Sequence, residues 1–207
     1  SYTFTNTGTL KHSLTDVGIY TPLCDNYPNS KTCIPHRANV HIWEGENAAY
    51  LNTVRMGGFP PHLGMAVTEG AIKAYELWER GNGKGGSHTR GIISLDLADT
   101  VLLPKQSVTL TWKIFSYTNE QDFVQKLVDN GSVVASCNKY LLAKGEKVEI
   151  TLLTAPSVKK CVAKYGMRHY SMKKKKGHWT VQIPMNQLGA QRIELCFDRK
   201  TTHVDVQ

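Results

Sequence analysis

A two-residue alternation of apolar and polar side chains is the feature of this sequence that most restricts its fold. The clearest case is Ser107–Tyr117, in which Val108, Leu110, Trp112 and Ile114 alternate with mostly polar residues. Alternation that includes β-branched and aromatic residues is the pattern of a strand with one buried face. This segment is therefore predicted to be a strand that places those four side chains, Trp112 among them, in the core.

The same alternation recurs along most of the chain. Further strands are predicted at residues 38–43, 91–97, 132–137, 147–154, 178–183 and 192–198. Residues 91–97 and Ser107–Tyr117 are predicted to pair as antiparallel neighbours. Short strands joined by polar turns are typical of antiparallel sheets. The predicted fold is therefore β-rich, either all-β or α+β, and is an antiparallel sandwich or a jelly-roll-like barrel.

Two or three short helices are predicted to interrupt these strands. Residues 68–80 have an apolar stripe at helical spacing and oppositely charged pairs four residues apart. Residues 119–129 are preceded by Thr118, which has the spacing of a capping box with Gln121. A third, shorter helix is predicted at residues 157–165.

Length and composition are those of a folded domain. The 207 residues are 41% hydrophobic and 20% charged, which is ordinary for a globular protein. No linker divides the chain, so we predict one globular domain over residues 1–207. No apolar run approaches the roughly 18 residues of a membrane span, so no transmembrane segment is expected. The sequence does not indicate a cellular compartment.

The positive charge is concentrated in one part of the chain. The net charge is +8 overall, whereas residues 139–176 alone contain 11 basic and two acidic residues, a net charge of +9. A concentration of positive charge raises the local concentration of negatively charged molecules. The alternative is a solvated charged face that serves only solubility.

The candidate binding residues are the cations of this region that are interleaved with aromatic side chains. They are Lys159, Lys160, Lys164, Arg168, Lys173, Lys174, Lys175 and Lys176. Lysine binds phosphate as a point charge, and aromatic rings stack on bases or lie at a lipid headgroup layer. The predicted partner is a polyanion, either nucleic acid or an anionic membrane surface, bound through an exposed hairpin loop at Lys173 to Lys176. The chain has no signature of a sequence-specific nucleic-acid module.

Four possible metal donors are close in sequence, namely Cys24, Cys33, His36 and His41. Zinc prefers four such donors in a tetrahedron, but the spacing here is looser than in a typical zinc knuckle. One alternative is a disulfide between Cys24 and Cys33. The other is that the four residues do not act together in any site. We expect no metal and no other cofactor.

Catalytic motifs are not evident. The loop at residues 81–86 formally matches G-x-G-x-x-G, but it follows a predicted helix instead of preceding one, so it is interpreted as a surface loop. No nucleophile elbow or H-E-x-x-H motif occurs. The predicted function is therefore a non-enzymatic structural or self-assembling protein of virus-coat or matrix type, for which a homo-oligomer would be suitable. The alternatives are a secreted or surface carbohydrate-binding module of lectin type and a hydrolase of unrecognised type.

Overall fold

The computed structural model describes residues 1–21, 28–78 and 92–207. Contacts between Cα atoms divide the chain into two compact units, Ser1–Lys126 and Leu127–Gln207, which we call unit 1 and unit 2. The expectation of one domain over residues 1–207 stays a prediction.

Unit 1 consists mainly of short strands. Its elements are β1 (Tyr2–Thr5), β2 (His12–Leu14), β3 (Gly18–Thr21), α1 (Ser30–His36), β4 (Ala38–Trp43), β5 (Tyr50–Arg55), β6 (His62–Glu69), β7 (Ile72–Trp78), β8 (Ile92–Leu97), β9 (Thr100–Leu102) and β10 (Ser107–Tyr117). A helix, α2 (Glu120–Asp129), crosses the boundary with unit 2.

The strands of unit 1 form three antiparallel sheets. The largest has the order β1-β10-β6-β5-β4, and the others are β3-β8-β7 and β2-β9. The core lies between the first two and is built from side chains of both. Its buried members are Ile19, Ala49, Leu51, Met65, Val67, Ile72, Ile93, Leu95, Leu97 and Leu110. Full burial of one such large side chain contributes about 1.5–3 kcal/mol, so this shared face is what holds the two sheets together.

Helix α2 confirms the helix predicted at residues 119–129, although its start differs in detail. The N-terminus is capped by Asn119, whose Oδ1 accepts a hydrogen bond from the Asp122 N–H at 3.0 Å. Thr118 donates to the Asp122 carboxylate instead of forming the predicted capping box with Gln121. Phe123 anchors the helix on the sheet through edge and tilted ring contacts with Tyr50, Phe115 and Tyr117.

The helix predicted at residues 68–80 is wrong. The structure has the end of β6 and the strand β7 in this range, joined through Gly70 at a φ of +86°. A Cβ at Gly70 would lie 2.8 Å from Leu110 Cδ1, so both the backbone conformation and the space require glycine. Pairing of β7 with β8 buries Ile72 completely. This long-range pairing outweighs the local helical pattern.

The predicted inward face of β10 is only partly correct. Leu110 is 1% exposed, but Ile114 is 62% exposed and Trp112 is half-buried. The register of β10 with β6 shifts between Thr111 and Trp112, which is the effect of a β-bulge. Trp112 contacts the Tyr2 ring at a centroid distance of 4.9 Å and borders a mainly apolar cavity of about 210 Å³. The prediction that Trp112 is a core residue is therefore only partly correct, because Trp112 packs against the core at its border and is not buried within it.

Gly64 marks a very close contact between two strands of unit 1. It lies in β6 opposite Phe115, and a Cβ at this position would lie 2.3 Å from Phe115 Cε2. We expect Gly64→Ala to lower the free energy of unfolding by about 1–3 kcal/mol, as overpacking does. Phe115→Leu in the same chain should recover part of this loss, because the two effects are coupled. Urea unfolding of the two single variants and the double variant measures this coupling, and strictly additive effects would contradict the predicted clash.

All of the regular elements of unit 2 that follow α2 are strands. They are β11 (Val134–Cys137), β12 (Lys147–Leu153), β13 (Cys161–Tyr165), β14 (Arg168–Ser171), β15 (Lys173–Lys175), β16 (His178–Pro184), β17 (Gln191–Phe197) and β18 (Lys200–Val206). They form two antiparallel sheets, β11-β12-β16-β15 and β14-β13-β17-β18. Each sheet buries one face; for example, Val148 and Ile150 of β12 and Ile193 and Leu195 of β17 are fully buried.

The third predicted helix, at residues 157–165, is also wrong. Its second half is the strand β13, in which Cys161 and Ala163 are buried and alternate with the partly exposed Val162 and Lys164. Alanine and lysine favour helices locally, but pairing with β14 and β17 on both sides favours the strand.

The predicted fold class is confirmed. The described residues form several antiparallel sheets and contain two short helices. In the described ranges, none of the helices has the length and apolar character needed to span a membrane.

Candidate functional site

Three of the four consecutive lysines lie in a strand instead of the predicted loop. Lys173, Lys174 and Lys175 form β15, which pairs with β16, and only Lys176 lies in the turn that follows. All four side chains are exposed. The strand fixes the direction of each side chain, because consecutive residues in a strand point to opposite faces.

The register separates these lysines into two groups. Lys173 lies opposite Thr180 and Lys175 opposite His178, so these two lysines share the outer face of the sheet. Lys174 lies opposite Trp179, with its Nζ 5.3 Å from the centre of the indole ring. This cation–π contact covers a tryptophan that is 8% exposed, so Lys174 has a structural role in addition to its charge.

The other predicted binding residues are distributed along β13. Lys159 and Lys160 precede the strand, and their backbone N–H groups donate to Asp198 Oδ1 at 3.1 and 3.2 Å. Arg168 is the first residue of β14 and pairs with Tyr165 at the opposite end of β13. The structure thus groups Lys173, Lys175 and Lys176 near one sheet edge, but it does not bring all eight residues together.

Lys164 is the member of the set whose charge is already balanced. Its Nζ lies 2.5 Å from Glu194 Oε1. The hydrogen bond with Glu194 raises the pKa of Lys164, and the same bond lowers the pKa of Glu194. An ion-paired lysine contributes little net field, so Lys164 is a weaker candidate than the other lysines.

A polar cleft lies beside the exposed lysines. The chain passes from β14 in one sheet to β15 in the other at Met172, and β15 pairs with β16 only as far as Thr180. Next to this point is a cavity of about 420 Å³, a volume typical of small-molecule sites. Its lining residues are Glu149, Tyr170, Ser171, Lys173, Thr180, Val181 and Gln182.

The polar groups of the cleft are positioned by the register of its strands. Glu149 of β12 lies opposite Gln182 of β16, and Gln182 Nε2 donates to Glu149 Oε2 at 2.8 Å. Lys173 stands on the other side of β16, and Tyr170 contributes a half-buried ring. The cleft therefore offers a cation, a carboxylate, an amide and an aromatic surface, a set that suits a ligand rich in hydroxyl groups with an acidic substituent.

Sequence reasoning missed most of the residues that line this cleft. Glu149 and Gln182 alternate with apolar residues in strands that were predicted, so their outward direction could have been inferred from the pattern. Their pairing could not, because it depends on which strands are neighbours.

A second polar cluster, in unit 1, is largely buried. The Tyr117 hydroxyl donates to Asn52 Oδ1, and His62 Nδ1 accepts a hydrogen bond from the Arg55 N–H at 3.2 Å. Tyr117 is 3% and His62 7% exposed, and burial raises the pKa of Tyr117. These hydrogen bonds satisfy buried polar groups, so the cluster is interpreted as structural.

Burial lowers the reactivity of two of the described cysteines. Cys33, Cys137, Cys161 and Cys196 are free thiols. Burial raises the pKa of Cys137 to about 11 and that of Cys161 to about 12, so both stay protonated at neutral pH. A protonated thiol is a poor nucleophile and a poor metal ligand.

Two sequence hypotheses fall on residues outside the described ranges. Cys24 lies there, so the disulfide with Cys33 and the zinc site that would include it stay untested. Within the described ranges, no three or more His, Cys, Asp or Glu side chains are grouped to hold a metal ion. The glycine-rich loop at residues 81–86 also lies outside the described ranges.

Comparison with known proteins gives an informative match among solved structures. No family model and no curated protein matches the chain. Among solved structures, the chain is similar to a polysaccharide lyase, with 46% sequence identity and a TM-score of 0.92. The match covers 99% of this chain but 31% of the lyase, so the chain spans less than a third of that protein's length.

This match overturns the predicted function. A chain that resembles part of an enzyme at 46% identity over nearly its whole length is not explained as a virus coat or matrix protein. The expectation of a non-enzymatic protein is wrong for the same reason. The match is to a lyase, so it gives no support to the hydrolase alternative. The charge pattern predicted a negatively charged partner, but it does not distinguish polymers of phosphate, carboxylate and sulfate groups, which are all negatively charged.

Proposed function

We propose that this chain is the β-rich part of a polysaccharide lyase and that it binds an acidic polysaccharide in the cleft of unit 2. The similarity to a polysaccharide lyase, at 46% identity over 99% of this chain, is the observation that carries the proposal. A lyase breaks a bond by elimination, and binding that orients the polymer contributes to the rate of such a reaction. Binding and orientation are the contributions that we assign to this chain.

The acidic character of the polymer is supported by the charges around the cleft. Residues 139–176 have a net charge of +9, Lys173 lines the cavity, and Lys175 and Lys176 are exposed further along the same strand and its turn. Such a field attracts a chain of carboxylates or sulfates and has no equivalent attraction for a neutral polymer. Nucleic acid and anionic membranes, the partners expected from the sequence, are the competing polyanions.

The cleft itself supports a sugar as the ligand. A polysaccharide unit has hydroxyl groups around a ring with apolar faces. Tyr170 offers an aromatic surface, and Glu149, Thr180 and Gln182 offer donors and acceptors at the rim. Each type of group on the sugar therefore has a counterpart in the cleft.

Calorimetric titration of the purified chain with polysaccharides tests the proposal. Polygalacturonate, hyaluronan and dextran sulfate supply acidic polymers, and dextran is the neutral control. We expect binding to at least one acidic polymer and none to dextran. No binding to any acidic polymer, or equally strong binding to dextran or to a DNA duplex of similar charge, would overturn it. Ultraviolet absorbance of the same mixtures reports whether the chain alone forms the double bond of an elimination product.

Tyr170 provides a test that does not depend on charge. We expect Tyr170→Ala to weaken binding of the acidic polymer about tenfold, because the sugar loses its aromatic surface. Tyr140→Ala is the matched control, since Tyr140 is 55% exposed in the same unit and does not line the cleft. Equal losses in the two variants would show that the Tyr170 ring is not part of the binding site.

A further inference from the structure

The cleft contains an acidic side chain where the surrounding charge is strongly positive. Residues 139–176 include two acidic residues, Glu146 and Glu149. Glu146 is held by Lys139, whose Nζ lies 2.9 Å from its Oε1. Glu149 instead lines the cleft and accepts a hydrogen bond from the Gln182 amide. A carboxylate at this position opposes the binding of an anion, so its presence calls for an explanation.

The cation and the carboxylate of the cleft lie at different points along it. Lys173 is opposite Thr180, whereas Glu149 is opposite Gln182 on the other side of β16. The two Cα positions are thus two strand spacings and two residues apart, which corresponds to about 12 Å. That separation exceeds one sugar ring, so the register allows the two side chains to meet different sugar units of a bound polymer.

We infer that Glu149 is a specificity-determining residue that selects polymers in which a neutral sugar follows an acidic one; this rests on the proposed function. Lys173 attracts the acidic group of one sugar. Glu149, oriented by Gln182, accepts hydrogen bonds from hydroxyl or amide donors of the next sugar. A second acidic group at that position meets like charge at close range, which discriminates against polymers charged on every unit.

The experiment compares polymers that share a backbone and differ in charge density. One pair is half methyl-esterified and fully de-esterified polygalacturonate, and the other is hyaluronan and sulfated hyaluronan. Calorimetric titration at one fixed ionic strength gives, for each pair, the ratio of the affinities for the dense and the sparse polymer. We expect Glu149→Gln to raise this ratio about tenfold with little change for the sparse polymer. Gln182→Glu, which adds a carboxylate at the same place, should lower it.

Glu120→Gln is the matched control, because it removes the same charge from an exposed position on α2, outside the cleft. It should leave the ratio unchanged. If the protein binds acidic polymers but neither cleft variant moves the ratio, or Glu120→Gln moves it as far as Glu149→Gln does, the inference is overturned and the proposed function stands. If the protein binds none of the acidic polymers, the proposed function itself fails.

Discussion

Replacing Lys173, Lys175 and Lys176 by serine is expected to lower the affinity for an acidic polysaccharide at least about tenfold at low salt. All three lysines are exposed, and Lys173 lines the cleft, whereas Lys174 covers Trp179 and is left in place. Each lysine that binds an anionic group of the polymer releases one counterion, and the number of released counterions sets how steeply the affinity falls with salt. Loss of three lysines should therefore reduce the slope of log affinity against log salt concentration by up to about three. Titrations at four salt concentrations measure both quantities.

Charge-matched substitutions elsewhere separate local binding from the effect of net charge. Lys11, Lys31 and Lys113 are exposed in unit 1. Their simultaneous replacement by serine changes the net charge by the same amount, but it should leave the affinity and most of the salt slope intact. If the two triple variants lose affinity equally, the attraction is a property of total charge and the cleft has no special part in it.

Phe197→Ala is expected to have the largest effect on stability, a loss of about 3–5 kcal/mol in the unfolding free energy of unit 2. Phe197 is 2% exposed in β17 and pairs with Cys161, which is also 2% exposed. Truncation would leave a cavity between strands whose backbone hydrogen bonds limit collapse. Trp179 is the one tryptophan in the sequence of unit 2, so its fluorescence during urea unfolding reports on this unit. Variants that keep Trp179 and lack the tryptophans of unit 1 separate this signal from theirs.

Met167→Ala is the companion measurement, because Met167 is 99% exposed in the same unit. Its loss should change stability by less than about 0.5 kcal/mol. A similar midpoint for both variants would mean that Phe197 is not part of a packed core.

Local sequence patterns were sufficient to predict many strands and helix α2, but not which strands pair with each other. The strands β10, β12, β16 and β17 were predicted because each alternates over several residues, and α2 because its start and apolar side agree. The prediction that residues 91–97 pair with Ser107–Tyr117 is wrong, since β8 pairs with β3 and β7, and β10 with β1 and β6. Pairing joins residues far apart in sequence, which a periodic pattern does not specify.

The same distinction applies to the candidate site. Its basic character could be predicted from composition, because the cations are concentrated in one stretch and long charged side chains stay at the surface. The cleft could not, because it exists only where the chain leaves one sheet for the other at Met172 and where β12 and β16 place Glu149 opposite Gln182.

By itself, the sequence determined that this protein is β-rich, that α2 forms, and that one stretch of the chain is strongly basic. Strand alternation, helix capping and charge content are local or compositional properties. The tertiary structure decided that residues 72–78 form a strand and not a helix, that Trp112 lies half-buried at a bulge, and which of the lysines share a face. Each of these depends on the partner that a strand finds across the sheet. The free energy of that long-range pairing and burial exceeds the local preference of any single segment.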